Sequence, residues 1–510
     1  MPAMPTTRNR LRHALVAVAL TALASLAFAG PASAGRNQES VFQDDGVLQF
    51  SGLDAQRSGL DQMKALGADT VHVLVGWRKI APDPAGSKKP TGFDATNPDA
   101  YPSGVFADLD SLVTEAKKRD LDVIFTPTSS IPDWASNCGA RQNRAKSKGK
   151  NNYTCDPNAT EFQQFITALG KHFSGDLAVH RWSLWNEPNL ESWLRPQWQR
   201  VRGATIDQGA VLYRGLAAAG IAGLQATGHG DDQILLGETA PTGSLRSGSS
   251  AAPRRFIARL LCLDDDGHPL RGGDATRYDC RHPRELAVSG FAHHPYTQGG
   301  FRPPTASVRN SGEITLGYIA RLESLLSRAA HYHRVPAGTR IWDTEYGIQT
   351  NPPDRFGMSL SSQALYLNQS EYISWLDGWL RSFAQYNLAD DPDTAAFNTG
   401  LIFDNAVDGG ARKPAYDAFA TPIYVTRASS GSVYVWGGAR AGGAGHRVAI
   451  ENGSGDAWTT VATASTGSGG YLRVRLRKRS GRWRLHWTDA SGADHVSRAA
   501  SVNSTPVRRR

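Results

Sequence analysis

Trp182-Ser183-Leu184-Trp185 is a short apolar run, and it leads directly into Asn186-Glu187-Pro188-Asn189. The first half reads as a buried strand; the proline, which lacks an amide hydrogen, stops the ladder and leaves a carboxylate just past the strand end with an amide beside it. A second stretch repeats the design. Ile341-Trp342-Asp343-Thr344 runs into Glu345-Tyr346-Gly347.

Working outward from these two stretches, short apolar runs alternate with longer stretches of helical period. Strand-like Val71–Val75 is followed by helix-like Val105–Arg119, and Leu121–Phe125 turns back to strand character. The alternation continues through strand-like His180–Trp185, Gln233–Gly237, Ala287–His293 and Arg340–Thr344. The helix-like stretches between and after them are Gln199–Ala222, Arg254–Leu263, Gly317–Tyr332 and Gln363–Gln385. Adding a first strand near Val47–Phe50 and a last at Gly400–Phe403, before Lys413–Ala420, predicts eight strand-then-helix units. Such alternation indicates a parallel sheet, and eight units suggest a closed (β/α)8 TIM barrel (α/β class) rather than an open sheet. The GxGxxG turn of a dinucleotide fold is missing. Beyond Pro422 the texture changes to short alternating runs between Gly/Ser turns, which predicts a small, sandwich-like all-β domain over 423–510. Its clearest element reads as a hairpin, Tyr471–Lys478 then Arg482–Trp487, apolar on one face and basic on the other.

The chain has 510 residues, 40% hydrophobic and 20% charged, which allows a large folded enzyme and excludes wholesale disorder. Arg8, Arg10 and Arg12 precede an uncharged apolar run from Ala14 to Ala29 and the small-residue triplet Ala32-Ser33-Ala34. This pattern predicts a signal peptide over 1–34, a secreted protein and a catalytic domain over 35–422. The apolar run is short for a membrane span, so no stable membrane anchor is expected. Cys138, Cys155, Cys262 and Cys280 allow three disulfide connectivities. The oxidising compartment and the lack of CxxC spacing favour two sequence-local bridges, Cys138–Cys155 and Cys262–Cys280, over a metal site. The net charge of +9 shrinks to about +3 once the three leader arginines and the terminal Arg508-Arg509-Arg510 are set aside, which is no nucleic-acid footprint. Local positive charge remains between Cys138 and Cys155, where Arg141, Arg144, Lys146, Lys148 and Lys150 occur without an acid. It raises the possibility of an acidic sugar substrate.

In a (β/α)8 barrel the C-terminal strand ends share one face, so Glu187 and Glu345 should converge. Two carboxyl groups about 5 Å apart are what retaining glycoside hydrolysis requires. Here the chain resembles the clan A (β/α)8 retaining glycoside hydrolases, most nearly the family 5 and family 39 type. Trp185-Asn186-Glu187-Pro188-Asn189 looks like the acid/base motif on the fourth strand of that clan, and Thr344-Glu345-Tyr346-Gly347 looks like the nucleophile motif on the seventh. Pro132-Asp133-Trp134-Ala135 is similar to an element after the third. The resemblance implies Glu187 as general acid/base and Glu345 as nucleophile. It also implies Asn186 as the amide that binds a sugar 2-hydroxyl, and His294 and Tyr296 as a His-x-Tyr pair whose tyrosine supports the nucleophile.

Two departures follow from the same resemblance. His72 stands where an arginine is common, with Arg78 a candidate replacement, and no tryptophan ends the run taken as the eighth strand. Trp134 and Trp185 are candidate sugar platforms. The expected partner is a β-linked polysaccharide or oligosaccharide, and the expected protein is a monomer needing neither metal nor cofactor. The alternatives are an exo-acting glycosidase of the xylosidase or arabinofuranosidase type and a non-catalytic carbohydrate-binding barrel.

Overall fold

The computed structural model describes residues 38–144, 146–147, 150–392, 397–405 and 408–503. The reading of 1–34 as a leader and the terminal arginines lie outside them. Eight strands form one parallel sheet: β1 (Glu39–Gln43), β2 (Thr70–Gly76), β3 (Asp122–Thr128), β4 (Arg181–Leu184), β5 (Gln233–Thr239), β6 (Gly290–His293), β7 (Arg340–Asp343) and β8 (Ser382–Tyr386). Sequence neighbours pair from β1 through β7, and β1 pairs β8. The last seam is closed by the backbone: Ile341 N donates to Trp379 O and Arg381 N to Ile341 O, both at 2.9 Å, and the side chain of Ser382 donates to Asp343 O at 2.8 Å. A helix follows each strand: α1 (Leu53–Ala65), α2 (Ala107–Lys117), α3 (Ala159–His172), α4 (Gln208–Gln225), α5 (Pro253–Leu260), α6 (Ala320–His331), α7 (Leu360–Leu376) and α8 (Pro414–Ala420).

These helices follow from local chemistry. In α2, Leu109, Leu112, Val113 and Ala116 recur at helical spacing and are buried, while Asp108 and Asp110 sit in the first turn and Lys117 in the last, matching the helix dipole. In α3 the Asn158 side chain caps the start by accepting from Thr160 N and Glu161 N. Val71, Val73, Val75, Phe125, Trp182 and Leu236 face these helices with almost no exposure and form the main core. The inside of the barrel is more polar: His72, Thr126, Ser183 and Glu238 are fully buried there.

Two strands differ from the sequence-based expectation. The first is Glu39–Gln43; Gly46–Phe50 is instead a helical turn. Asp44 starts that turn, its side chain accepting from Val47 N at 3.0 Å and its carbonyl from Leu48 N at 2.9 Å. The eighth is Ser382–Tyr386, not Gly400–Phe403, and α7 stops at Leu376 rather than running to Gln385. Asp377 ends the helix and accepts from Trp379 N at 2.9 Å, so the apolar run that looked continuous is a helix, a turn and a strand.

From Ile423 the chain forms two four-stranded sheets. One runs in the order β13 (Tyr471–Arg477), β10 (Ser432–Gly438), β9 (Ile423–Ser429), β16 (Val502–Asn503). The other runs β12 (Ala457–Ser465), β11 (Arg447–Ser454), β14 (Arg482–Thr488), β15 (Asp494–Val496). Val425, Val435, Ile450, Leu472, Trp483 and Leu485 fill the space between them. The expected hairpin is therefore absent: β13 pairs β10 while β14 pairs β11. Both strands have an apolar face, and the two faces meet across the core of a sandwich instead of lying side by side. The basic face divides with them, Arg473, Arg475 and Arg477 going to one sheet and Arg482 and Arg484 to the other.

The sandwich docks on α7. Tyr372 and Trp375 pack with Tyr424, Trp436 and Tyr471, and Glu371 accepts from Tyr471 Oη at 2.6 Å and pairs with the buried Arg440. Both sequence-local disulfides are formed, with S–S distances of 2.04 Å for Cys138–Cys155 and 2.05 Å for Cys262–Cys280. Among the described residues no helix is long and apolar enough to cross a membrane.

Candidate active site

The ends of β4, β5, β6 and β7 converge. Glu187 is delivered by a tight turn after β4 in which Trp185 and Glu187 both take left-handed backbone, φ 73° and 38°. Such conformations are costly for residues with a Cβ and cluster at functional sites. Hydrogen bonds to the ends of the flanking strands β3 and β5 hold the turn: Glu187 N donates to Glu238 O at 2.9 Å, and Asn186 N donates to Thr128 Oγ1 at 3.1 Å. Glu345 follows β7 and is nearly buried, while the Glu187 side chain keeps 16% exposure.

One carboxylate oxygen of each glutamate and a ring nitrogen of His294 all lie within 4.8 Å of one another. His294 Nδ1 sits 3.3 Å from Glu187 Oε1 and 3.5 Å from Glu345 Oε2. Tyr296 Oη donates to Glu345 Oε1 at 2.9 Å, and Trp193 Nε1 donates to Glu187 Oε2 at 3.1 Å. Burial and the neighbouring Glu187 carboxylate push Glu345 up to about 7, against the pull of His294 and the Tyr296 hydrogen bond. Burial, then the Glu345 charge, pushes the Tyr296 phenol well above its usual range, so it stays a donor.

The carboxylates open into a cavity of about 370 Å³ lined by Asn186, Trp193, Tyr296, Tyr386 and Phe397 among others. Asn186 Oδ1 is buried and has no hydrogen-bond partner among the described residues. Among the described residues no lysine or arginine lines the cavity.

Comparison with known proteins gives fold-level likeness. No family model matches the chain, and no curated protein matches it. Among solved structures it is similar to GH5_18 from Streptomyces cattleya in complex with GlcNAc, at 16% identity and TM-score 0.46, over 76% of this chain and 79% of that one. It is also similar to Fpglu1 from Fervidobacterium, at 13% identity and TM-score 0.45, over 76% and 94% of the two chains. A third is an endo-β-1,4-mannanase from Thermotoga petrophila, at 12% identity and TM-score 0.40, over 93% and 99%. At such scores these likenesses carry no argument about chemistry, which rests on the residues themselves.

Of the residues singled out from sequence, Glu187, Glu345, Asn186, His294 and Tyr296 meet in this site. His72 lies beneath it, fully buried, with Nδ1 3.2 Å from Thr344 O and Nε2 2.7 Å from Thr126 Oγ1. Arg78 is engaged elsewhere, donating to Ile131 O and Asp133 Oδ1 and stacking over Tyr153, so it supplies no guanidinium to the carboxylates. Trp185 is buried in the core and donates to Trp193 O, and Trp134 packs against Trp77 and Phe93; neither lines the cavity.

Three residues escaped sequence reasoning. Tyr386 ends the true β8 and supplies the aromatic wall there. Trp193 sits in a loop with no periodic signal. Glu238 is turned inward by a bulge in β5: Ala292 pairs with Gly237 and His293 with Thr239, so Glu238 is the extra residue. Gly237 makes the bulge possible, with φ 117° and a position where a Cβ would meet Ala292 O at 2.4 Å. A glycine inside an apolar strand run was the available signal.

A second acid–histidine group, His180, His229 and Asp232, lies at the other end of the barrel, where ligand atoms also fall within 4.8 Å. Its carboxylate is already saturated by the two rings and Trp182.

Proposed function

We propose that this protein is a secreted retaining glycoside hydrolase that cleaves β-linked polysaccharide or oligosaccharide by double displacement. The reading rests on one observation, the paired carboxylates of Glu187 and Glu345 at the ends of β4 and β7, with oxygens within 4.8 Å across a cavity rim. That spacing leaves no room for an intervening water and suits direct attack. In the first step a Glu345 oxygen bonds to the anomeric carbon while the bond to the leaving oxygen breaks and Glu187 gives that oxygen its proton. In the second, Glu187 takes a proton from water, the hydroxide oxygen bonds to the anomeric carbon, and Glu345 leaves.

The roles are divided by environment. Glu345 is the deeper group and accepts from Tyr296, a contact that favours its ionised form; Glu187 keeps access to solvent, where water and the leaving group are exchanged. The unpartnered Asn186 Oδ1 suits a sugar hydroxyl. Among the described residues no lysine or arginine stands on the cavity wall, so the wall described offers a uronic acid no cationic partner. Arg144, from the basic loop, is tied to Asp133 and Ala85 O, while the side chains of Lys146, Lys148 and Lys150 lie outside what the structure describes. Residues 35–422 form the catalytic unit on this reading and the C-terminal sandwich is accessory.

Glu187→Ala is expected to lower kcat by about 10²–10⁴-fold, and Glu345→Ala by at least as much, with the fold intact by circular dichroism. Azide should restore turnover to Glu345→Ala and give a product of inverted configuration. Wild-type rates in either variant on a panel of β-glycans would sink the assignment.

A further inference from the structure

We propose that Glu238 is a positioning residue that holds His294 as an imidazolium wedged between Glu187 and Glu345, providing in direct contact with the pair the cation that Arg78 does not bring. This rests on the hydrolase reading for its kinetic consequence but not for the charge state itself.

The fold bears a cost to put Glu238 where it is. The side chain is wholly buried inside the barrel on left-handed backbone, φ 48°, and neither feature is needed for the strand to pair. Its Oε1 accepts from Thr126 Oγ1 at 3.2 Å and lies 3.2 Å from His72 Nε2. Its Oε2 has no hydrogen-bond partner among the described residues and faces His294 Nε2 at 3.9 Å; that nitrogen is equally without one. Three carboxylates therefore flank the His294 ring nitrogens among the described residues: Glu187 and Glu345 at Nδ1, Glu238 at Nε2. A neutral imidazole would aim its one lone pair at an anionic oxygen on one side or the other. Only the doubly protonated ring presents a donor to both.

The surrounding charges agree. The groups facing His294 are Glu187 past β4, Glu238 on β5, Glu345 and Asp343 from β7, His72 on β2 and its neighbour His293. Burial pulls His294 down, but the Glu345, Glu187 and Glu238 carboxylates outweigh it and push it up to about 9. Burial raises Asp343 well above the carboxylate range and drives His293 down to about 3, leaving both neutral. Burial would raise Glu238 too, yet His72 and His294 prevail and keep it ionised. An arginine would hold its charge at any working pH; an imidazolium held by a carboxylate gives it up in alkali. The device thus sets an alkaline limit on activity.

The test is the His294 ring titration by NMR in the full-length protein without substrate, alongside kcat/KM and kcat against pH. In the wild type the ring should be doubly protonated at pH 7. In Glu238→Gln its proton affinity should drop at least tenfold, so its titration and the alkaline limb of kcat/KM both move down by one pH unit or more. Glu238→Asp should recover part of that shift, whereas a merely structural role would leave the limb in place. An unchanged titration in folded Glu238→Gln, or a neutral ring in the wild type at pH 7, overturns the proposal; the wild-type measurement stands even if the variant fails to fold. If no glycan is hydrolysed while the titration behaves as stated, the hydrolase reading fails and the charge assignment survives.

Discussion

The two ends of the barrel carry similar sets of residues arranged to opposite purposes. At the N-terminal end, Asp232 before β5 joins His180 before β4 to His229. Asp232 Oδ1 lies 2.9 Å from His180 Nδ1, Oδ2 lies 2.6 Å from His229 Nδ1, Trp182 Nε1 donates to Oδ2 at 3.1 Å, and His229 Nε2 is 2.8 Å from Gly170 O. Both Asp232 oxygens and both His229 ring nitrogens are occupied. At the C-terminal end of the barrel, Glu187, Glu238, His294 and Glu345 gather with Glu238 and His294 wholly buried, yet Glu238 Oε2, His294 Nε2 and Asn186 Oδ1 have no hydrogen-bond partner among the described residues and the backbone is left-handed at Trp185, Glu187 and Glu238. Buried polar groups are normally paired, so clusters that look alike in composition are told apart by their hydrogen-bond accounts. The saturated one ties elements together; the other turns Glu238 Oε2 and His294 Nε2 toward each other and leaves Asn186, with its unpartnered Oδ1, on the cavity wall.

The contrast can be broken at either end, and the larger effect on turnover belongs at the top. Tyr296→Phe removes one hydrogen bond to a carboxylate that must be ionised, a contact of about 1.5–3 kcal/mol, so kcat/KM should fall roughly 10- to 100-fold with little change in melting temperature. Because that bond favours the charged form, its loss raises the Glu345 proton affinity, and the acidic limb of the rate profile should move to higher pH. A limb that stays put would mean Tyr296 does not act on Glu345.

At the bottom the signs reverse. Asp232→Asn strips the bridge between two rings and should cost about 1–3 kcal/mol by denaturant unfolding while kcat stays within twofold. The pH dependence of stability checks the same point. Burial opposes ionisation of Asp232, but the bonds from His180, His229 and Trp182 win and lower its proton affinity. Its contribution is present above the unfolded carboxylate range and is lost as pH falls through the folded value. The variant should therefore lose the wild type's extra stability near neutrality and converge with it in acid. A drop in kcat of more than tenfold would show that the saturated cluster is coupled to the chemistry after all.

How far each end was legible in the sequence follows from what fixes it. The barrel was readable because its strands and helices obey their periods over long stretches, and Glu187 and Glu345 because each follows an apolar run at a strand end. His294 and Tyr296 came through a motif with fixed spacing. Glu238 did not, since a bulge changes which way one side chain points without changing the composition of Gln233–Thr239. Tyr386 was hidden by the strand misplaced to Gly400–Phe403, where an unbroken apolar texture ran through Asp377 and concealed the end of α7. The hairpin failed for a related reason: alternation along β13 and β14 reports which face is buried, not whether the partner face lies beside it or across a core.

The smallest predicted effect sharpens the comparison within the bottom cluster itself. His180 and His229 both reach Asp232, but the His180 side chain is 72% exposed and that of His229 only 6%. An exposed ion pair gains little, since water screens the charge and the freed side chain recovers entropy. His180→Ala should then change stability by less than about 0.5 kcal/mol. His229→Ala should cost several times more, because it strands Gly170 O, leaves Asp232 Oδ2 with Trp182 as its remaining donor and removes a ring packed edge-on against Trp182 at 5.3 Å. If the two variants proved equally damaging, burial would not be what separates a working contact from a decorative one at this end of the barrel. The hydrogen-bond accounts that distinguish the two ends would then have to be weighed by count alone, whatever the exposure of each partner.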